Sequence, residues 1–285
     1  MATDWKRVSD GLVSTLLLKT KPIGFKFLKR AEEINEIEAI QRSEFKRAVC
    51  QYLGSARYLG KAWGATTEDQ FCQSGAWKLG VSPYVPDVYA EQGLYGDKLL
   101  NIADSETAKM MVDQLPKNKD SFEAFAVMPL DGGQVADQIT FEPDLIIIYG
   151  EPGQLGPLVL AACAALKMPA FSGRFLGDTG ICADGIPASW NSGEPKLTLP
   201  CIGDRAFGGT QTTEVAVVFP AEKLNEDVLE NVQKSSIPMQ MGLDAPLGAS
   251  PEIVGLQKLM GSSEFEIDAK GTPLVPERNS KKDEK

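Results

Sequence analysis

The feature that most constrains the fold of this chain is a strand, glycine turn and helix pattern over residues 144–166. Residues 144–149 (DLIIIY) form a short continuous apolar run, which predicts a buried strand. A turn rich in Gly and Pro follows at 150–154, and residues 155–166 (LGPLVLAACAAL) have the length and composition of a helix. This βα unit predicts a sheet covered by helices, and therefore an α/β or α+β fold.

Further strands and helices are interleaved along the chain. Predicted helices cover residues 4–18, 43–63, 69–79, 105–115, 221–234 and 250–260, and predicted strands cover 23–28, 122–130, 196–200, 214–219 and 265–267. With no repeat or low-complexity linker between them, these elements predict a single domain over residues 1–275, either as one body or as two lobes. Residues 276–285 (PERNSKKDEK) have almost nothing to bury and are predicted to form a disordered, charged tail.

The composition excludes several classes of site. The chain contains no histidine, which removes Ser-His-Asp and Cys-His catalysis, His-ligated zinc and two-His iron sites. Proton transfer then depends on Asp, Glu, Lys, Tyr or Cys. The net charge is −10 at pH 7, and residues 131–275 carry eight Lys and Arg against nineteen Asp and Glu. A surface this acidic predicts that nucleic acid is not a partner.

The sequence also predicts a cytoplasmic protein with no membrane partner. Its longest apolar runs are far shorter than the roughly 20 residues of a membrane-spanning helix. Residues 1–11 (MATDWKRVSDG) lack the apolar core of a secretory signal. The five cysteines include no C-x-x-C pair. Without a secretory signal, they are predicted to be reduced thiols rather than a disulfide framework.

Four of the five cysteines lie in surroundings that favour a thiolate. Cys50, Cys72, Cys182 and Cys201 each lie near a predicted helix start, a glycine or a basic side chain, whereas Cys163 lies among alanines and is expected to fill the core. Four thiolates are the full ligand set of a [4Fe–4S] cluster, so these four cysteines are the candidate ligands of a cluster or another thiophilic metal. Their spacing is not specific, and ordinary buried thiols are the alternative.

Residues 173–205, rich in Gly, Pro and Asp, contain a second set of candidates. Arg174 and Arg205 suit a carboxylate or phosphate, because a guanidinium binds such a group with two parallel hydrogen bonds. Asp184 and Asp204 are the candidates for proton transfer. Together these residues indicate a small organic anion as the substrate. Alternatively, the aspartates cap local turns and pair with the arginines.

The turn at 150–154 is a further cofactor-binding candidate. Gly150 and Gly153 begin a G-x-x-G-x-x-G pattern at a helix start, where backbone amides bind anions. The pattern differs from the dinucleotide fingerprint G-x-G-x-x-G, and Glu151 is unfavourable next to a phosphate. A purely structural turn is the alternative.

Several motifs resemble, in their order along the chain, the family of domain of unknown function 169, first described as archaeal Cys-rich proteins. They are Cys50-x5-Ala56-x3-Gly60, Cys72-x2-Gly75-x3-Leu79-Gly80, Gly173-Arg-Phe followed by Cys182-Ala-Asp-Gly185, and Leu199-Pro-Cys-Ile-Gly-Asp-Arg205. The resemblance covers roughly residues 9–234. It implies that the four candidate cysteines, and not Cys163, belong to the motifs of the family. It implies no activity, because the family is largely uncharacterised.

Three hypotheses of function follow. In the first, the chain is an enzyme or redox protein in which the four cysteines hold an iron–sulfur cluster or another metal, while the two arginines bind an anionic substrate and the two aspartates handle protons. In the second, it is a binding module that holds a small organic anion without catalysis, and its cysteines are structural. In the third, Cys182 or Cys201 is a nucleophile activated by Arg205 or by backbone amides, without a cofactor.

Overall fold

The computed structural model describes residues 3–83, 104–175 and 180–234, together with the backbone of 266–267 and 273–274. The chain divides into two units, Met1–Met239 and Gln240–Lys285. The first unit contains a seven-stranded sheet with helices against both of its faces. In the second unit, strands β8 (Glu266–Ile267) and β9 (Pro273–Leu274) form an antiparallel pair.

The elements of the first unit alternate along the chain, as the sequence predicts. The strands are β1 (Ile23–Leu28), β2 (Trp63–Thr66), β3 (Ala124–Pro129), β4 (Leu145–Gly150), β5 (Ser172–Gly173), β6 (Lys196–Thr198) and β7 (Val215–Pro220). The α-helices are α1 (Trp5–Leu16), α2 (Val49–Leu59), α3 (Gln73–Lys78), α4 (Ser105–Asp113), α5 (Pro152–Leu166), α6 (Ile186–Ser192), α7 (Ile202–Ala206) and α8 (Glu226–Lys234). Short 3-10 helices cover Ala31–Glu36 and Ala221–Lys223, and a π-helix covers Gly180–Gly185.

The sheet is mainly antiparallel. Its strand order is β2-β3-β1-β4-β7-β6-β5, and β5 and β6 form the one parallel pair among the described strands. In the centre of the sheet, Phe25 of β1 pairs with Val127 of β3 on one side and with Leu145 of β4 on the other. The predicted mixed α/β class is confirmed, and β4 with α5 forms the strand, turn and helix predicted at 144–166.

Alternate side chains of each strand face two different helical layers, because successive residues of a strand lie on opposite faces. Ile146 and Ile148 belong to the core cluster that includes α1, α5 and α8. Leu145 and Ile147 belong to the cluster that includes α2 and α3. Burial on both faces explains the continuous apolar sequence of β4. Cys182 belongs to the second cluster, so the candidate cysteine site lies on the α2 and α3 side of the sheet.

The largest difference from the predicted elements concerns α2. Periodicity predicts a helix over residues 43–63, whereas α2 begins at Val49 and ends at Leu59. Gly60 takes a left-handed conformation (φ 61°) that ends the helix. The chain then enters β2 at Trp63. Trp63 continues the helical pattern of the sequence, but it is the first residue of this strand.

Of the elements predicted near the C-terminus, only one falls on residues that the structure describes. The strand predicted at 265–267 corresponds to β8. The helix predicted at 250–260 and the tail predicted at 276–285 lie outside the described residues. Across the part of the chain that the structure describes, no helix has the length and apolar character needed to cross a membrane.

Candidate functional site

Four cysteines from distant parts of the sequence lie together on the α2 and α3 side of the sheet. Cys50 is the second residue of α2, Cys72 immediately precedes α3, and Cys201 immediately precedes α7. Cys182 is the third residue of the π-helix. A π-helical turn is uncommon and occurs often at functional sites. The packing of these four elements on one another therefore decides the geometry of the thiols.

The sulfurs of Cys72 and Cys182 face the same glycine. A Cβ atom placed on Gly75 would lie 3.4 Å from each of these two Sγ atoms. The two sulfurs are therefore no more than about 6.8 Å apart, which is twice that distance. Gly75 lies inside α3 and does not have a positive φ, so its backbone does not require glycine. Both sulfurs therefore pack against the side of α3 on which Gly75 has no side chain.

Cys50 and Cys201 meet at a second glycine. The Cys50 thiol donates a hydrogen bond to the carbonyl oxygen of Gly203, with 3.4 Å between sulfur and oxygen. A Cβ atom on Gly203 would lie 3.5 Å from the Sγ atom of Cys201. Helix α7 thus brings together two cysteines that are far apart in the sequence.

Electrostatic interactions connect the two pairs of thiols. Burial raises the pKa of the Cys182 thiol well above its usual value, and negative charge at Asp204, Cys50, Cys72 and Cys201 raises it further. The pKa of the Cys50 thiol is raised in the same way, first by burial and then by Asp204 and the neighbouring thiols. These two thiols are therefore protonated at neutral pH when no cation is bound beside them.

Asp204 places a buried carboxyl group beside the thiols. It is fully buried, and its Oδ2 atom accepts a hydrogen bond from the Cys201 amide (3.1 Å). Burial raises the pKa of Asp204 to about 6, although hydrogen bonds from Cys201 and Ile181 and the charge of Arg57 oppose the shift. The second candidate acid, Asp184, is buried on the π-helix. Asp204 therefore changes its charge close to neutral pH, in contact with a thiol-bearing residue.

A buried ion pair joins Arg57 of α2 to Glu214, just before β7. The two side chains are only 1% and 3% exposed. Arg57 also donates a hydrogen bond to Thr20 (Nε–Oγ1 3.0 Å), and its guanidinium lies 4.0 Å from the ring centre of Tyr149. The pKa of Tyr149 is raised well above its usual value by burial and by Asp204, and Arg57 opposes this effect. Arg57 thus brings positive charge to a region that otherwise holds acidic groups.

A close approach of two glycines sets the distance between α2 and α7. A Cβ atom on Gly54 would lie only 2.3 Å from the carbonyl oxygen of Gly208. A hydrogen bond from the Tyr58 hydroxyl to the Gly209 carbonyl oxygen (2.8 Å) lies beside this contact. Because Cys50 is one helical turn before Gly54, the same contact brings Cys50 to the start of α7.

Replacement of Gly54 by Ala is expected to lower the free energy of unfolding by roughly 1–3 kcal/mol, because the methyl group would overlap the Gly208 backbone. The matched control is Gly156→Ala in α5, where a Cβ atom would meet nothing within 4 Å. That variant is expected to keep or slightly raise the stability, since Ala is the better helix former. Urea unfolding measures both, and equal stability of the two variants would contradict the close approach.

Of the two arginines predicted to bind an anion, only Arg205 lies on an element that carries a site residue. Arg205 follows Asp204 on α7, is half-buried, and donates a hydrogen bond to the carbonyl oxygen of Gln211. Arg174 immediately follows β5 and is exposed. Arg205 therefore shares a helix with one of the site carboxyls, whereas Arg174 follows the edge strand of the sheet.

The glycine turn and the fifth cysteine lie on other elements. Gly150 ends β4, where a Cβ atom would lie 3.1 Å from Leu155, and Gly153 is inside α5, where a Cβ atom would meet nothing within 4 Å. The start of α5 is capped by its own residues, because the Glu151 amide donates to the side chain of Gln154 (2.9 Å). Cys163 is half-buried on α5, in the opposite helical layer.

Two cavities of about 780 and 360 Å³ lie away from the thiols. Trp5 and Glu142 line both of them, the larger extends along residues 135–142, and the smaller also contacts Trp190. No cysteine of the described chain lines either cavity. The thiols are instead packed between helices, which suits a bound group more than a freely diffusing substrate.

Sequence reasoning missed Tyr149 and the Arg57–Glu214 pair as neighbours of the thiols. One signal was available, because Arg57 lies two helical turns after Cys50 on the same stripe of the predicted helix. A charged side chain on a stripe that faces the core indicates a buried partner. No local pattern identifies Glu214 as that partner, because it lies 157 residues away.

The fold and the site define a mixed α/β protein with a cysteine-lined interior. Residues 11–231 match the model of the family of domain of unknown function 169, which is described as an uncharacterised ArCR family. The chain therefore belongs to this family, as its motifs predict. It is 34% identical over 219 residues to an uncharacterised protein of Methanocaldococcus jannaschii, and the match covers 76% of this chain and 89% of that protein. No solved structure matches the chain.

Proposed function

We propose that this protein binds an iron–sulfur cluster through Cys50, Cys72, Cys182 and Cys201, and that it is a redox protein or enzyme that acts on a small organic anion. The observation that carries the proposal is the meeting of these four thiols, which come from four separate elements. Core cysteines that only fill space have no reason to be near one another.

The chemistry of the donors supports a cluster. Thiolates are soft ligands that select iron–sulfur clusters, zinc and copper. Among the described residues, no three Cys, Asp or Glu side chains are placed to hold a single metal ion. A [4Fe–4S] cluster does not require that arrangement, because each of its four irons takes one thiolate. We therefore propose that these four thiols hold a bound group larger than one ion.

The space and the charge at the site support the same proposal. Gly75 lacks the Cβ atom that would otherwise contact the sulfurs of both Cys72 and Cys182, at 3.4 Å from each. Since burial holds the pKa of the Cys50 and Cys182 thiols high, cluster binding must displace their protons. Asp204 lies beside these thiols with a pKa of about 6, and we propose that it and Asp184 exchange protons during the reaction.

Arg174 and Arg205 are the proposed binding residues for the anion. Arg174 is exposed, and Arg205 is half-buried on the helix that follows Cys201. A small carboxylate or phosphate ester bound to Arg205 would lie at the outer end of α7, next to the thiol site. We also propose a cytoplasmic location. All five cysteines lie in the described part of the chain as free thiols, the form that the reducing cytoplasm maintains.

Protein purified without oxygen is expected to contain roughly four iron and four sulfide ions per chain. Replacing any one of Cys50, Cys72, Cys182 or Cys201 by Ser is expected to lower the iron content at least about threefold, because a thiolate ligand is lost. Cys163→Ser is the matched control and is expected to keep full iron content. Iron and sulfide analysis measures the result, and thermal unfolding checks that each variant folds.

Two outcomes would contradict the proposal. The first is a chain without iron or sulfide after anaerobic purification and after reconstitution with iron and sulfide. The second is iron that is lost equally in Cys163→Ser and in the four site variants, which would show that the metal does not distinguish the site from an ordinary thiol.

A further inference from the structure

Two adjoining cavities in the first unit form a groove beside α1. Their volumes are about 780 and 360 Å³, and Thr3, Trp5 and Glu142 line both of them. The larger cavity extends along residues 135–142, and the smaller one is lined by residues at the start of β4, on α6 and at the end of β7. Volumes of this size are typical of sites for small ligands. We define the groove as these two cavities together.

Every charged residue of the described chain that lines the groove is acidic. Glu38 and Asp137 line the larger cavity, Asp144 and Glu222 line the smaller one, and Glu142 lines both. No ion pair joins any of these five carboxylates to a lysine or arginine of the described chain. A cleft lined by charges of one sign attracts ligands of the opposite sign. The groove therefore favours a cation.

Two lysines lie beside the groove without lining it. The Lys26 Nζ atom donates a hydrogen bond to the backbone carbonyl oxygen of Glu142 (3.0 Å). Lys223 follows Glu222 in the sequence and forms an ion pair with Glu194 (2.7 Å). Lys26 offsets part of the negative charge of the groove, and Lys223 is already paired with a further carboxylate. Negative charge therefore remains in excess along the groove.

Two indole rings and a half-buried carboxyl group shape the smaller cavity. Trp5 and Trp190 both line it, and an indole ring is the aromatic group that attracts cations most strongly. The Trp5 indole N–H donates to both carboxylate oxygens of Glu142 (3.3 and 3.4 Å), which holds this carboxylate where the two cavities meet. Burial raises the pKa of Asp144, although the Phe27 amide and the charge of Lys26 oppose the shift. A cation beside Asp144 would stabilise its ionised form.

We propose that the groove binds a linear polyamine, which is a methylene chain that carries two or more ammonium groups. The carboxylates are spread over two cavities, and among the described residues no three acidic or cysteine side chains are placed to hold one metal ion. A single metal ion is therefore a poor match, because it requires several oxygen ligands around one point. The ammonium groups of a polyamine reach carboxylates in both cavities, while its methylene groups contact the indole rings. The inference does not depend on the thiol site, because no cysteine lines the groove.

The test uses spermidine as the probe and isothermal titration calorimetry of the full chain at physiological salt as the readout. One spermidine per chain is expected. Binding is expected to weaken at least about tenfold in Glu142→Gln, because the variant loses the charged acceptor that the two cavities share. The matched control is Glu68→Gln, which changes an exposed carboxylate outside both cavities and is expected to bind within about twofold of the unmodified chain.

A second variant and a second probe separate the groove from the general acidity of the chain. Asp137→Asn changes an exposed residue of the larger cavity and is expected to weaken spermidine binding at least about threefold, and thermal unfolding checks that both groove variants fold. Butylamine, with a single ammonium group, is expected to bind at least about tenfold more weakly than spermidine. No spermidine binding, several weak equivalents per chain, equal losses in Glu142→Gln and Glu68→Gln, or butylamine binding as tight as that of spermidine would overturn the proposal.

Discussion

Replacement of Arg57 by Met is expected to lower the free energy of unfolding by about 3–5 kcal/mol, because it leaves Glu214 charged, buried and without its cation. The Arg57 and Glu214 side chains are 1% and 3% exposed, so water cannot replace the lost partner. The change also removes the hydrogen bond to Thr20 and the contact with the Tyr149 ring. Urea unfolding of both proteins measures the difference.

Two further variants separate the buried pair from a general effect of losing an arginine. Arg7 and Glu226 form an exposed pair, with side chains 57% and 49% exposed. Arg7→Met is therefore expected to change stability by less than about 1 kcal/mol. The double variant Arg57→Met with Glu214→Leu removes both charges and is expected to recover most of the loss. A small effect of Arg57→Met, similar to that of Arg7→Met, would contradict the burial of the pair.

The strands at the centre of the sheet could be predicted from the sequence, because their local pattern and their structural role agree. β1 matches its predicted bounds, and β4 is displaced by one residue. The boundary between α2 and β2 could not be predicted from the sequence, because the same apolar residues fit both the stripe of a helix and a short buried strand. Gly60 determines where the helix ends, and the pairing of Trp63 with Val127, from a distant part of the chain, determines where the strand begins.

For the candidate site too, the sequence predicts what depends on local residues and not what depends on long-range contacts. The sequence separates Cys163 from the other cysteines, because its alanine-rich surroundings are local information. It gives no reason for Cys50 and Cys201 to meet, since the hydrogen bond from Cys50 to Gly203 joins residues 153 positions apart. The contacts of Gly75 with the sulfurs of Cys72 and Cys182, and of Gly203 with the thiols of Cys50 and Cys201, are visible only when the helices are placed on the sheet. Long-range packing therefore decides which of the candidate residues are neighbours.

Gly75→Ala separates the cluster-binding role of the site from its structural role. A Cβ atom on Gly75 would lie 3.4 Å from the sulfurs of Cys72 and Cys182, which is an acceptable contact in the chain without a cluster. Because Gly75 lies within α3, the added methyl group is expected to keep the stability or to raise it by up to about 1 kcal/mol. The same methyl group would contact the sulfurs of two proposed cluster ligands.

Iron content of Gly75→Ala is therefore expected to fall at least about tenfold, while its free energy of unfolding in the iron-free state is kept or raised. The matched control is Gly153→Ala in α5, where a Cβ atom would meet nothing within 4 Å and where both quantities should be unchanged or slightly improved. A destabilised Gly75→Ala would show that the position is tightly packed rather than open. A stable Gly75→Ala with full iron content would contradict the proposal that a bound cluster occupies the volume beside Gly75, because the cluster and the methyl group would compete for it.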